Sequence, residues 1–150
     1  MKTFILKRHS SLSQKTIFNL STDIENFNII MPNHFKSLEI IEQIDNQITV
    51  FERIQFMGIK LKIKTKHVII KPNIHKVFIL TGPMKGTKFI ETYVTSKNGS
   101  DIFIEVNLTF NGLMKVFNFL ENYVAKKMSV VMNEFISSAE NFHSKNIYSQ

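Results

Sequence analysis

Two acids in this chain stand where acids are least expected. Glu52 lies in an alternating run with Val50, Ile54 and Phe56, and Glu91 in one with Phe89 and Tyr93. Residues two apart share a face of a β-strand, so each carboxyl group points the same way as its apolar neighbours. If those faces look inward, both acids must be paired or protonated, because an isolated charge is costly to bury. Such a carboxyl group can orient a ligand carbonyl or hydroxyl, or act as general acid or base in an aldol-type cyclisation. A rim position or a bulge would instead turn each acid to solvent, and the pattern leaves both arrangements open. His67 and His75 fall on neighbouring predicted strands and could approach each other. Glu52, Glu91, Tyr93 and His75 are therefore the candidates for acid–base chemistry.

Other chemistries lack their residues. There is no cysteine, which excludes disulfides and thiolate metal sites. The five histidines show no metal-ligand spacing such as His-Glu-x-x-His, so no metal is assigned. Ser10, Ser11 and Ser13 lack a nucleophile elbow, and neither a phosphate-binding loop nor a dinucleotide fingerprint is present, so no cofactor is expected.

The elements that must position the acids follow from periodicity. From His34 onward the period is two: His34–Ile44, Gln47–Met57, Ile59–Ile70, Ile74–Thr81, Thr87–Thr95 and Asp101–Phe110 read as strands. Ile59, Leu61, Ile63 and Thr65 face one way while Lys60, Lys62, Lys64 and Lys66 face the other, the mark of a sheet with one wet face. Turn signals separate the strands, among them Asp45-Asn46, Pro72-Asn73, Gly82-Pro83 and Asn98-Gly99. Before them come a strand, Thr3–Ser10, and two short helices. Ser13 is placed to cap the first, Gln14–Leu20; Thr22 with Glu25 resembles a capping box for the second, Asp23–Ile30. Pro32 ends it.

The last element is a long amphipathic helix, Leu113–Phe142. Leu113, Phe117, Leu120, Val124, Met128, Val131, Phe135, Ala139 and Phe142 recur every three or four residues and form one stripe. Thirty residues span roughly 45 Å at 1.5 Å per residue, so the stripe needs a partner surface equally long. The order predicts an α+β fold: a seven-stranded curved antiparallel sheet, strand one pairing beside the last strand, with the helix laid across its concave face. Residues 1–143 make one domain and 144–150 a C-terminal tail.

Hydrophobic content is 43% and net charge +7 at pH 7. No run is long enough for a membrane span and the N-terminal apolar stretch is too short for a signal peptide, so a cytoplasmic location is expected. The basic excess is spread over lysines, with Arg8 and Arg53 the only arginines. The row Lys60, Lys62, Lys64, Lys66 would suit an anionic membrane surface. Aromatic residues do not interleave with it as stacking platforms would, which argues against nucleic acid. Nothing in the chain sets an oligomeric state.

This order of elements resembles the START-like superfamily (SRPBCC), whose helix-grip fold includes the birch-pollen allergen (Bet v 1-like) and polyketide cyclase/dehydrase families. Asp23-Ile24-Glu25-Asn26-Phe27 followed by Pro32 is similar to a pattern after the first short helix of coenzyme Q-binding START-domain proteins. Gly82-Pro83-Met84-Lys85 resembles their glycine-proline-phenylalanine-lysine turn. Where those proteins often carry a tryptophan on the next strand, this chain has none, and Glu91 falls near that position. The resemblance implies that the space between helix and sheet holds a hydrophobic small molecule such as a lipid, isoprenoid, quinone or polyketide. Expected ligand-binding residues are Ile48, Glu52, Ile54, Phe56, Leu61 and Ile63 on the central strands, Phe89, Glu91 and Tyr93 beyond them, and Val124, Met128, Val131 and Phe135 on the helix. Binding or transport without chemistry is the first reading. A cyclase or dehydratase using the cavity acids is the alternative, and a ribosome- or nucleic-acid-associated module using the lysine row a second one.

Overall fold

The computed structural model describes residues 2–112 and 119–148. Its seven strands are β1 (Lys2–Ser10), β2 (Phe35–Ile44), β3 (Gln47–Phe56), β4 (Ile59–Ile70), β5 (Ile74–Ile79), β6 (Lys88–Ser96) and β7 (Gly99–Leu108). They form one sheet in the order β1-β7-β6-β5-β4-β3-β2. Every neighbouring pair is antiparallel, including β1 against β7, where Lys2 faces Leu108 and Ser10 faces Ser100. This is the predicted topology: short turns make sequential strands neighbours, and the helical connection after β1 carries the chain across to the far edge. Gly99, at φ +143°, starts β7 so close to β1 that a Cβ there would sit 1.9 Å from the Ser10 carbonyl oxygen. Only glycine fits that approach.

The helices are α1 (Gln14–Thr22), α2 (Phe27–Ile30) and α3 (Glu121–Tyr148), with a 3-10 turn at Ile24–Asn26. Ser13 caps α1 as expected, its hydroxyl accepting from the Thr16 backbone N–H at 3.2 Å. The capping box does not form. Thr22 belongs to α1 and its hydroxyl donates back to the Phe18 carbonyl, while Asp23 holds the Asn26 side-chain amide instead. The second helix is accordingly split into the 3-10 turn and a single α-turn.

The long helix differs from expectation at both ends. Leu113 and Phe117, its expected first contacts, lie outside the described residues. At the other end the helix continues through His143 and the expected tail to Tyr148. Its stripe behaves as read: Val124, Met128, Phe135 and Ala139 are buried, with Ile136 beside them. Polar contacts from three residues of β1 fasten the helix along it. Lys2 donates to Asn122, Arg8 to the Ser129 carbonyl at 3.1 Å, and Ser10 to Glu140 at 2.9 Å. The eight steps from Lys2 to Ser10 advance roughly 26 Å at strand rise, and the eighteen steps from Asn122 to Glu140 roughly 27 Å at helix rise. Strand and helix therefore stay in step, and the helix is fixed along that edge of the sheet. Ile17 and Phe18 of α1 and Ile102, Ile104, Val106 and Leu108 of β7 complete the buried core on this side.

Candidate functional site

Away from β1 the sheet and the helices do not close on each other. A cavity of about 220 Å³ remains, and every one of the seven strands contributes to its wall. Ile54 and Phe56 of β3, Ile63 of β4 and Phe89 of β6 form part of its floor, as expected from their strand faces. Met128, Val131 and Phe135 of α3 face them, again as expected, joined by Met132. Phe27 of α2 packs edge-on against Phe35 at 4.9 Å between ring centres and tilted against Phe135 at 5.6 Å. This aromatic cluster walls the cavity on the helical side without filling it.

Three expected lining residues sit elsewhere. Ile48 packs with Ile24 and Val50 in a separate small cluster. It lies four residues, roughly 13 Å of strand, from Glu52, where the 3-10 turn already covers the sheet. Leu61, the third residue after the Met57-Gly58 turn, is half-buried beside Lys60 and Lys62. Val124 is buried within the main core, one helical turn before Met128. Lys60 and Lys62 share an outer groove with Lys36 and Arg53, and its other lining residues, Ile54 and Gln55, also line the cavity. Lys66 instead lies over the Phe78 ring at 5.3 Å.

Both acids point inward. Glu52 is 4% exposed, and Glu91 lines the same cavity. They are the two ends of one hydrogen-bonded chain across four strands. The Thr65 hydroxyl donates to Glu52 Oε1 at 2.6 Å, and His67 Nε2 lies 2.9 Å from the same oxygen. His67 Nδ1 is 2.9 Å from His75 Nε2, the rings stacked at 5.1 Å. His75 Nδ1 is 3.1 Å from Glu91 Oε2, to which the Tyr93 hydroxyl donates at 2.6 Å. The period of two carries the inward face of β4 from Ile63 through Thr65 to His67, and His75 stands directly opposite Glu91 in the β5–β6 register. His67 and Thr65 are members of the site that the candidate set did not contain. Their signal was the same alternation that identified Leu61 and Ile63. Phe27 and Met31 also line the cavity, but a helix of one turn has no periodicity from which to read its inward face.

Together these contacts form a relay from Glu52 through His67 and His75 to Glu91, and at its Glu52 end the Thr65 hydroxyl also lies 3.0 Å from His67 Nε2. Burial alone would raise the Glu91 pKa, but the charge and hydrogen bond of His75, the Tyr93 hydroxyl and the more distant His67 hold it below the ordinary carboxylate value of 4.5. Burial and the adjoining Glu91 charge push Tyr93 well above 10.0, so it stays a neutral donor.

These directions fix a pH dependence. A depressed Glu91 pKa contributes stability above the unfolded value of 4.5 that is lost as pH falls through the folded value. A raised Tyr93 pKa contributes stability below 10.0 that is lost as pH rises towards its folded value. Denaturant unfolding followed across pH is expected to show a shallower acid limb in Glu91→Gln and a shallower alkaline limb in Tyr93→Phe, each relative to the unsubstituted protein. Parallel limbs in all three proteins would contradict these assignments.

No protein-family model matches the sequence, and no curated protein is recognisably similar to it. Solved structures are. The di-domain ARO/CYC BexL from the BE-7585A biosynthetic pathway superposes with a TM-score of 0.77 at 11% identity, over 93% of this chain and 49% of that one. The chain thus spans about half the length of that protein. The structure of Ara h 8.0201 matches with a TM-score of 0.73 at 16% identity, covering 94% of this chain and 96% of that one. Norcoclaurine synthase from Thalictrum flavum, solved with dopamine and hydroxybenzaldehyde, matches with a TM-score of 0.69 at 15% identity over 95% and 87% of the two chains. At such identities the likeness establishes the fold. The chain has the helix-grip fold of the START-like (Bet v 1-like) proteins. Among the described residues, no helix is long and apolar enough to cross a membrane and no group of His, Asp and Glu is placed to hold a metal.

Proposed function

We propose that this protein binds a hydrophobic small molecule in the cavity between sheet and helices, with the molecule's polar end against the Glu52–Glu91 relay. The observation that carries this reading is a largely apolar cavity of about 220 Å³ with Glu52, His67, His75 and Glu91 gathered on its sheet wall. Interiors normally pack to crystal density. Side chains lining such an opening lack packing partners on one side, so an apolar occupant that fits it is favoured. Burying apolar ligand surface adds about 25 cal/mol per Å². Solved proteins of this fold include one holding dopamine and hydroxybenzaldehyde, which supports a small-molecule occupant. Native mass spectrometry of freshly purified protein, followed by organic extraction, is expected to reveal a co-purifying hydrophobic compound. Protein that is empty and takes up no hydrophobic probe would contradict the reading.

A second reading, acid–base chemistry on the bound molecule, is favoured by the relay, since two carboxylates at opposite ends of a proton-sharing chain both line the cavity. Compounds extracted from the unsubstituted protein and from Glu52→Gln and Glu91→Gln separate the two. The same compound from all three supports a carrier; a precursor accumulating only in the variants supports a catalyst.

A further inference from the structure

The hydrogen-bond inventory of the relay has a consequence for what it can hold. The Tyr93 hydroxyl has one proton, and it is committed to Glu91 Oε2. The Thr65 proton goes to Glu52 Oε1. In every arrangement that satisfies the contacts, both nitrogens of His67 and of His75 face another member of the relay, so neither ring has an N–H to spare. All donors are thus used internally. What is left over is acceptor capacity: among the described residues no donor reaches Glu52 Oε2 or Glu91 Oε1, and both acids line the cavity. A carboxylate oxygen accepts and cannot donate, so each of these oxygens calls for a donor from whatever occupies the cavity. The Glu91 carboxylate, held below its ordinary pKa by His75 and Tyr93, adds repulsion towards any anion, poorly screened within the apolar cavity.

Resting on the proposed ligand-binding cavity, we infer that its ligand ends in a hydroxyl group, an alcohol or phenol that donates to the unpaired carboxylate oxygens of Glu52 or Glu91, and that ligands ending in a carboxylate or another anion are rejected. A carbonyl or ether end is a poor match as well. To hold it at the relay, Tyr93 would have to leave Glu91, and Glu91 would then face His75 alone. The specificity is therefore set by the acids and their histidines, while the Ile, Met and Phe walls select only for apolar bulk.

Three matched probes test this on the full chain: 2-naphthol, 2-methoxynaphthalene and 2-naphthoate, titrated by calorimetry at neutral pH. They share one apolar frame and differ in whether the polar end donates, only accepts, or is anionic. The naphthol is expected to bind about tenfold to a hundredfold more tightly than the methoxy compound, the value of one hydrogen bond to a charged acceptor. The naphthoate is expected to bind most weakly of the three. In Glu91→Gln that carboxylate charge is removed, and the handicap of the naphthoate relative to the methoxy compound is expected to shrink at least tenfold. Circular dichroism confirms that this variant is folded, and the three-probe order in the unsubstituted protein stands without it. Equal affinity for naphthol and methoxynaphthalene, or tightest binding of naphthoate, overturns the inference while leaving the cavity reading intact. Failure of all three to bind at millimolar concentration overturns both.

Discussion

Met128→Trp is expected to abolish ligand binding while leaving the protein folded. Met128 projects from α3 into the cavity opposite the sheet and is 9% exposed, so a larger ring at this position has the void itself to occupy. Overpacking normally costs 1–3 kcal/mol because neighbours must move. Here the indole replaces missing contacts, which offsets that cost. A ligand burying about 200 Å² of apolar surface would forfeit about 5 kcal/mol if excluded. Allowing for association costs, affinity for a hydrophobic probe is expected to fall at least about a hundredfold. The thermal midpoint should stay level or rise. Fluorescence titration with the probe and a thermal melt of the same sample check both halves. Undiminished binding would mean that the probe sits outside the cavity.

His75→Leu is expected to cause the largest loss of stability of any single change in the relay. His75 is 3% exposed and joins His67 to Glu91. Leucine fills much the same space but leaves Glu91 with Tyr93 alone and His67 Nδ1 with nothing. Breaking a buried charge pair by removing one partner costs about 3–5 kcal/mol. For a chain of this length that corresponds to roughly 10 °C in thermal midpoint. The double variant His75→Leu/Glu91→Leu removes the orphaned charge along with its partner, so it is expected to recover a substantial part of the loss. Denaturant unfolding of both variants gives the comparison. A double variant that is less stable than the single one, or a single variant as stable as the parent, would show that the relay is not a coupled unit.

Most of the sheet was legible because a strand with one wet face writes its burial into the sequence. Lys60 to Lys66 face outward and Leu61 to His67 inward by parity alone, and the same rule placed Glu52 and Glu91 among apolar neighbours. The pairing of β1 with β7 followed from the length of the connection after β1. Parity, however, tells which face a residue is on and not how far along the strand the cavity extends. Ile48 and Leu61 are on the inward face and stand opposite His67 and Ile54, which line the cavity, yet they do not line it themselves, and Val124 is a helical turn before Met128, which does. The relay was half legible. Two acids and His75 were in the candidate set, and the approach of the two histidines was foreseen. Their linkage into one chain depended on the diagonal offset between His67 and His75 across β4 and β5, where His67 is paired with Val77, and no composition or spacing specifies that. Thr22 illustrates the opposite limit: its sequence fits a capping box, but α1 runs two residues further than expected and takes its hydroxyl for the Phe18 carbonyl.

Methionine methyl groups provide the most direct measurement of where a ligand sits. Met31, Met84, Met128 and Met132 line the cavity, whereas Met57, at the exposed β3–β4 turn, does not. In protein labelled with carbon-13 at the methionine methyls, titration with 2-naphthol is expected to shift the resonances of the four cavity methionines together, saturating with one affinity, and to leave Met57 in place. Movement of Met57 without the cavity set, or saturation with none of the four shifted, would contradict a binding site between sheet and helix.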